Sequence, residues 1–103
     1  MLTESEFRKL ADAELKALAQ KLDPIDGLSA DGTADALTIE FDDGERFVLN
    51  QQGPTRQIWF AASFEAAHFS YDGQNWLDAK TGEALRARIS RDVSRKVGAA
   101  VAL

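Results

Sequence analysis

The chain has 103 residues, of which 45% are hydrophobic and 28% charged, proportions typical of one small globular domain with a core of its own. It contains no cysteine, which excludes disulfides, thiolate metal sites and a cysteine nucleophile. Residues 1–45 hold twelve acids and four bases (net −8), whereas residues 46–103 have a net charge of +3. This acidity argues against nucleic acid as the main partner and favours cations or a basic protein surface.

Neither a membrane-spanning run nor a signal-peptide pattern is found in the sequence. We therefore expect a cytoplasmic location and no membrane partner. The chain also shows no repeat and no internal boundary, so one domain over residues 1–103 is predicted.

The first predicted element is an amphipathic helix over residues 3–22. Thr3 and Glu6 have the spacing of a capping box, in which a hydroxyl and a carboxylate bond the first free N–H groups. Asp23-Pro24 ends the helix, because the residue before a proline is displaced from the helical region. Apolar residues at three- and four-residue intervals form one stripe, namely Phe7, Leu10, Ala11, Leu15, Leu18 and Leu22.

The middle of the chain alternates apolar and polar residues in short runs, as β-strands do. A polar segment over 26–35 is predicted as a loop with at most one short strand. Asp42-Asp43-Gly44 and Asp72-Gly73 are hairpin signals, and Gly53-Pro54 is a further turn. The predicted strands cover 37–41, 46–50, 57–62, 68–71 and 75–77, and a second amphipathic helix covers 83–97, with Gly98 as its terminator.

This order of elements predicts an α+β fold with two layers. Hairpin-sized connections make the sheet antiparallel, with five or six strands. Two helices with one apolar stripe each cover only one face of that sheet, and the other face stays open to solvent. The covered face is predicted to hold Ile39, Phe47, Leu49, Ile58, Phe60, Phe69 and Tyr71, and the open face Asn50, Gln57, Trp59 and His68.

The chain resembles the bacterial frataxin family along nearly its whole length. Frataxins place two terminal helices on one face of an antiparallel sheet, which agrees with the fold predicted above. The stretches that carry the resemblance are 5–12, the hairpin 37–44, the motif Asn50-x-Gln52-x-Pro54-x-x-Gln57-Ile58-Trp59, His68-Phe69, Trp76 and Thr81-Gly82.

The resemblance implies a non-enzymatic role in iron–sulfur cluster assembly, with a cysteine desulfurase and an iron–sulfur scaffold protein as partners. It implies weak iron binding through an acidic ridge, which would comprise Glu4, Glu6, Asp12, Asp23, Asp26, Asp31 and Asp35. The face that contacts the partner would comprise Asn50, Gln52, Gln57 and Trp59. The ridge is thinner than in many frataxins, because segments 18–21, 24–25 and 27–30 contain no acidic residue here.

Several residues leave alternatives open. The ridge carboxylates are loose ligands of a hard cation, steering charges for a basic partner, or an ordinary solvated helix face. Trp59 is a recognition residue or a core residue, and its alternation with Ile58 and Phe60 favours recognition. Trp76 is predicted to pack in the core. The single histidine, His68, lacks the neighbours that a zinc or catalytic site needs, so catalysis is not predicted.

The second helix carries a basic stripe formed by Arg88, Arg91 and Arg95, which is predicted to be a solvated face, with an anionic partner as the alternative. For the whole protein, two other functions remain open. One is an iron chaperone or store, and the other is a generic protein-binding module. A monomer is expected, with a metal-dependent oligomer as the alternative.

Overall fold

The computed structural model describes residues 2–103. Two α-helices flank six β-strands, and a 3₁₀ turn, Gly53–Thr55, joins the third strand to the fourth. In chain order the elements are α1 (Glu4–Leu22), β1 (Leu28–Gly32), β2 (Ala36–Phe41), β3 (Arg46–Gln52), β4 (Gln57–Ala61), β5 (Ala66–Tyr71), β6 (Trp76–Asp78) and α2 (Leu85–Val97). No helix within residues 2–103 is long and apolar enough to cross a bilayer.

The six strands form one antiparallel sheet in the order β1-β2-β3-β4-β5-β6, so each strand pairs with its neighbour in the chain. The predicted α+β architecture with both helices on one face is confirmed. Segment 26–35, predicted as a loop with at most one short strand, contains β1 at the edge of the sheet. Burial alternates only weakly along β1, because Leu28 and Ala30 are half-buried and the residues between and after them are exposed.

Helix α1 begins with the predicted capping box. The Thr3 hydroxyl accepts a hydrogen bond from the Glu6 backbone N–H at 3.1 Å, and the Glu6 carboxylate accepts one from the Thr3 N–H at 2.9 Å. These bonds to Thr3 hold the pKa of Glu6 below its ordinary value. The helix ends at Leu22, with Asp23 as its C-cap, as predicted.

Helix α2 begins at Leu85, two residues later than predicted. The delay has a structural reason, because Glu83 and Ala84 still belong to the sheet edge: the Glu83 carbonyl accepts the Asp78 N–H, and Ala84 bridges to Leu77. At the other end Gly98 takes a left-handed conformation, with φ at 71°, and terminates the helix as predicted.

The core lies between the helix layer and one sheet face. Of the seven residues predicted to be covered, six are buried and Tyr71 is half-buried. The α1 stripe is likewise buried, with Leu10 at its half-buried margin. Trp76 packs edge-on against Phe7, with ring centroids 5.8 Å apart, which confirms its predicted packing role.

Candidate partner-recognition face and acidic ridge

The alternation of β3 and β4 determines which side chains reach the open face of the sheet. Because Leu49, Ile58 and Phe60 point into the core, their strand neighbours Asn50 and Trp59 point away from the helices. Strand register then aligns the face: Asn50 pairs with Trp59, Gln52 with Gln57, and Trp59 with His68. We call these five residues, Asn50, Gln52, Gln57, Trp59 and His68, the amide–aromatic face.

Trp59 is the centre of this face and is held on two sides. Its indole stacks on the His68 ring, with centroids 4.1 Å apart and planes 7° from parallel. Its Nε1–H donates to Gln57 Oε1 at 2.9 Å, and Gln57 Nε2 in turn donates to Ser70 Oγ at 3.2 Å. The predicted position of Trp59 outside the core is confirmed, and the stack on His68 explains why the indole is half-buried rather than fully exposed.

The remaining amides complete the face. Gln52 Nε2 donates to Asn50 Oδ1 at 2.7 Å, so the four residues predicted to contact a partner lie side by side on β3 and β4. These five residues are uncharged, and Glu40 and Arg46, which lie farther along the same open face, pair with each other at 3.5 Å. An uncharged patch with a presented aromatic ring is typical of the centre of a protein interface.

The turn between β3 and β4 is fastened to the start of α1 through Arg56. This arginine has a left-handed backbone, with φ at 55°, in which a non-glycine residue is uncommon. Its side chain offsets that cost by donating Nη1–H to the Gly53 carbonyl at 2.8 Å and Nε–H to the Leu2 carbonyl at 3.4 Å. A Cβ at Gly53 would lie 3.0 Å from Glu4 Oε2 and 3.2 Å from Arg8 Nη2, so the ends of these two side chains would have to shift slightly to admit one.

Sequence reasoning missed Arg56 and Gln51. No sequence signal points to Arg56, since glycine or asparagine is the usual residue in this conformation. Gln51 could have been found by strand alternation: it faces the helices, and its Nε2 donates to Asp12 Oδ1 at 2.5 Å. Its Oε1 is buried and has no hydrogen-bond partner among residues 2–103.

The seven predicted ridge carboxylates do not behave alike. Glu4 pairs with Arg8 at 3.4 Å and with Arg56 at 4.0 Å, and Asp35 pairs with Arg8 at 3.7 Å. Glu6 is used in the capping box, and Asp12 accepts the hydrogen bond from Gln51. The three that are exposed and have no side-chain partner among residues 2–103 are Asp23, Asp26 and Asp31.

The ridge carboxylates do not form a site in which several ligands surround one metal ion. Within residues 2–103, no three Asp, Glu, His or Cys side chains stand close enough together to hold one ion. The arrangement offers separate surface carboxylates, which suit loose contacts with a hard cation or long-range attraction to a basic surface.

The basic stripe of α2 differs from the predicted solvated face. Arg88 is largely buried, with 11% of its side chain exposed, because it ion-pairs with Asp92 and Glu65 and lies over the Phe60 ring. Arg91 pairs with Glu83 at 2.7 Å. The prediction is therefore wrong for Arg88, which is a structural link between the helix and the β4–β5 turn.

Two helices on one face of an antiparallel sheet, with the amide–aromatic face opposite, define the class of this protein. Residues 1–99 match the model of the frataxin-like domain, and the chain therefore belongs to the frataxin family. Among its relatives, the iron-sulfur cluster assembly protein CyaY of Ralstonia nicotianae is 38% identical over 100 residues, covering 92% of this chain and 88% of that protein. CyaY of Thioalkalivibrio sulfidiphilus is 39% identical over 101 residues, covering 96% of this chain and 80% of that protein.

Solved structures agree with this fold. The frataxin of Psychromonas ingrahamii superposes with a TM-score of 0.92 at 24% identity, covering 98% of this chain and 97% of that one. Trimeric frataxin of Saccharomyces cerevisiae, solved in complex with ferrous iron, gives a TM-score of 0.69 at 20% identity, over 95% of this chain and 88% of that one.

Proposed function

We propose that this protein is a non-enzymatic adaptor and regulator of iron–sulfur cluster assembly, which binds a cysteine desulfurase and its scaffold protein in the cytoplasm as a monomer. The observation that carries the proposal is the amide–aromatic face, an uncharged patch in which Trp59 is fixed by His68 and Gln57. Rigid aromatic side chains bind partners at a low cost in conformational entropy. The names of the relatives, as iron-sulfur cluster assembly proteins, support the same role.

The acidic ridge would serve as the second contact. Asp23, Asp26 and Asp31 are exposed and unpaired within the described residues, so a basic partner surface can meet them without breaking an ion pair first. We propose that they attract the basic surface of the desulfurase, while the amide–aromatic face contacts its active-site region and the scaffold protein. Such attraction raises the association rate and weakens with salt.

Calorimetry with a purified cysteine desulfurase tests this docking. D23N/D26N removes two charges and should weaken binding about tenfold at low salt, with a smaller salt dependence than the wild type has. Q74K/N75K, at the β5–β6 turn, changes the net charge by the same amount on a different surface and should bind nearly as the wild type does. Equal binding by wild type and D23N/D26N would contradict docking through the ridge, and equal weakening in both variants would indicate net charge alone.

We propose weak iron binding as a subsidiary property. All seven ridge carboxylates would contribute, with Asp23, Asp26 and Asp31 the most accessible. Because they are separate, binding should be exchangeable and involve several sites. Delivery or storage of iron is the alternative function, and the ferrous complex of the yeast protein is the observation that favours it.

A further inference from the structure

Strand β1 is one edge of the sheet and pairs with another strand on one side only. Its register with β2 runs from Leu28 to Gly32 without a bulge. It contains neither proline nor lysine, which proteins commonly place in edge strands to prevent the addition of another strand. The edge is therefore open to a further strand.

The hydrogen bonds at the two ends of β1 show which backbone groups are free. The Thr33 N–H donates to a β2 carbonyl at 2.8 Å, and the Gly27 carbonyl accepts an N–H from beyond β2 at 3.2 Å. Both residues are odd-numbered, and an antiparallel pair bonds through every second residue, so the even-numbered residues direct their N–H and C=O groups outward. They are Leu28, Ala30 and Gly32, and none of them has another backbone partner among residues 2–103.

A groove lies beside this edge, on the helix side of the sheet. It encloses about 690 Å³ between α1 and the β1–β2 hairpin, and its lining includes Leu15, Ala19 and Ala30. The β2 residues opposite Leu28, Ala30 and Gly32 are buried, so these three residues also lie on the helix side. An added strand would therefore direct every second side chain toward the groove.

The free charges near the edge favour a basic strand. Asp31 is on the open-face side of β1, and Asp23 and Asp26 lie just before the strand; all three are exposed and have no side-chain partner among residues 2–103. The groove adds Asp12, which accepts a hydrogen bond, and Lys16, the one base in its lining. A second copy of this chain would bring its own Asp31 to the same edge, so like charges disfavour self-pairing.

We propose that β1 accepts an added antiparallel strand from a protein partner, in which apolar residues alternate with lysine or arginine. The apolar residues would lie opposite Leu28, Ala30 and Gly32 and would exchange backbone hydrogen bonds with them. The basic side chains between them would lie on the open-face side, beside Ser29 and Asp31. This contact goes beyond the proposed function: it shares Asp31 with the acidic ridge but does not depend on a desulfurase.

Binding is measured by NMR, titrating the ¹⁵N-labelled protein with the synthetic peptide acetyl-Lys-Val-Lys-Val-Lys-Val-Lys-amide. Saturable shifts are expected at the amides of residues 28–32, with a Kd of about 1 mM. A peptide of the same composition with its three valines together should bind at least about tenfold more weakly, because its apolar side chains cannot lie on one face of a strand. Equal binding of the two peptides would show attraction by charge alone and would overturn the proposal.

Methylation of peptide backbone nitrogens tests the hydrogen bonds directly on the wild-type protein. Methyl groups on the three valine nitrogens remove the donors that face β1 and should abolish binding. Methyl groups on the two lysine nitrogens between the valines face away from β1 and should change the affinity by no more than about twofold. Any other pattern would contradict antiparallel strand addition.

Two protein variants locate the added strand. Ala30→Pro removes an outward N–H that β2 does not use, and its ring blocks the edge, so it should weaken the peptide at least about tenfold. Asp31→Asn should weaken it about two- to fivefold, as expected for an exposed ion pair. Gln74→Lys changes the net charge by the same amount at the β5–β6 turn and should bind as the wild type does. Thermal melts monitored by circular dichroism check that each variant is folded.

Three further results would count against the proposal. One is the absence of saturable shifts at roughly 5 mM peptide, which is weaker than a specific contact of this size should be. Another is unchanged affinity in folded Ala30→Pro. The third is a dimer in sedimentation experiments that Ala30→Pro abolishes, since β1 would then be paired with a second copy of this chain.

Discussion

At the scale of single residues, the two tryptophans have opposite environments in one sheet. Trp59 alternates with Ile58 and Phe60, which point into the core, so its indole reaches the open face. Trp76 points into the core, with 5% of its surface exposed, and contacts Phe7. Strand geometry therefore places one ring in the core and leaves the other on the open face, where it is available to a partner.

Replacing each tryptophan by alanine should separate these roles. Trp59→Ala loses a cross-strand stack and one hydrogen bond, at a cost of about 1 kcal/mol of unfolding free energy. Trp76→Ala leaves a cavity in the core and should cost about 3–5 kcal/mol. Urea unfolding followed by circular dichroism measures both.

The same pair tests the proposed recognition role. Trp59→Ala should largely remove the effect of the protein on cluster formation by a desulfurase and scaffold mixture, while it stays folded. A loss of stability in Trp59→Ala as large as that in Trp76→Ala would mean that Trp59 is a core residue and would contradict this assignment.

At the scale of elements, the end of α2 is fastened to the β2–β3 hairpin by one lysine. Lys96 contacts Asp43 and Glu45, and its pKa is raised mainly by the hydrogen bond to Asp43. The pKa values of Asp43 and Glu45 are lowered from their ordinary 3.8 and 4.5, in each case mainly by the hydrogen bond from Lys96. This link joins residues that are 53 positions apart in the chain.

The link predicts how stability depends on pH. A carboxylate whose pKa is lower in the folded state stabilises the fold above its ordinary pKa, and that contribution is lost as pH falls through the folded value. The stability gap between wild type and Lys96→Met should therefore be largest at neutral pH and should shrink as the pH falls below the ordinary pKa values of the two carboxylates. Urea unfolding at pH 7, 4 and 3 measures the gap.

Lys80→Met is the matched control, because Lys80 is exposed and has no ion pair within residues 2–103. Its stability should follow that of the wild type at all three pH values. A Lys96→Met gap of the same size at pH 7 and pH 3 would show that lost packing, rather than charge, accounts for the effect.

At the scale of the whole molecule, the fold brings bases of the second half of the chain into contact with acids of the first half. Arg86 of the basic second half pairs with Glu14 of the acidic first half, and Lys96 pairs with Asp43 and Glu45. These pairs between distant segments neutralise part of the acidity on α1 and at the β2–β3 turn. The unpaired carboxylates that we propose as ligands, Asp23, Asp26 and Asp31, follow the end of α1 and extend into β1.

Ferrous titration under anaerobic conditions tests whether this surface holds metal. Calorimetry should detect weak binding at several sites in the wild type, and D23N/D26N/D31N should reduce both heat and stoichiometry. E40Q/D42N/E83Q removes the same number of charges outside the ridge, at exposed or half-buried positions, and should retain binding. Equal losses in the two triple variants would indicate general attraction to net negative charge and would contradict a ridge site.

The sequence predicts the parts of the fold that depend on local pattern. The apolar periods identify both helices and the covered face, and the capping box at Thr3 and the stop at Gly98 are confirmed because both depend on near neighbours. The motif residues Asn50 and Trp59 could be assigned to one face by alternation alone.

What the sequence could not show depends on packing between distant segments. The burial of Arg88 depends on its ion pair with Glu65, 23 positions away, and on its position over the Phe60 ring, neither of which a local pattern encodes. Only its pair with Asp92, four residues along the same helix, is a local contact. Which ridge acids have a side-chain partner also depends on tertiary contacts, with residues such as Arg56 and Gln51. The sequence gives little indication of strand β1, because an edge strand with no fully buried residue shows little apolar–polar periodicity.

The sequential strand order has a consequence for folding during synthesis. Because every strand pairs with the one just before it, the sheet can grow as the chain emerges, without waiting for distant segments. Helix α2 is made last, yet it covers part of the same face as α1. We therefore expect the nascent chain to carry an incompletely covered apolar sheet face until Val97 has left the ribosome, and a chain halted before α2 to be the species most prone to aggregate.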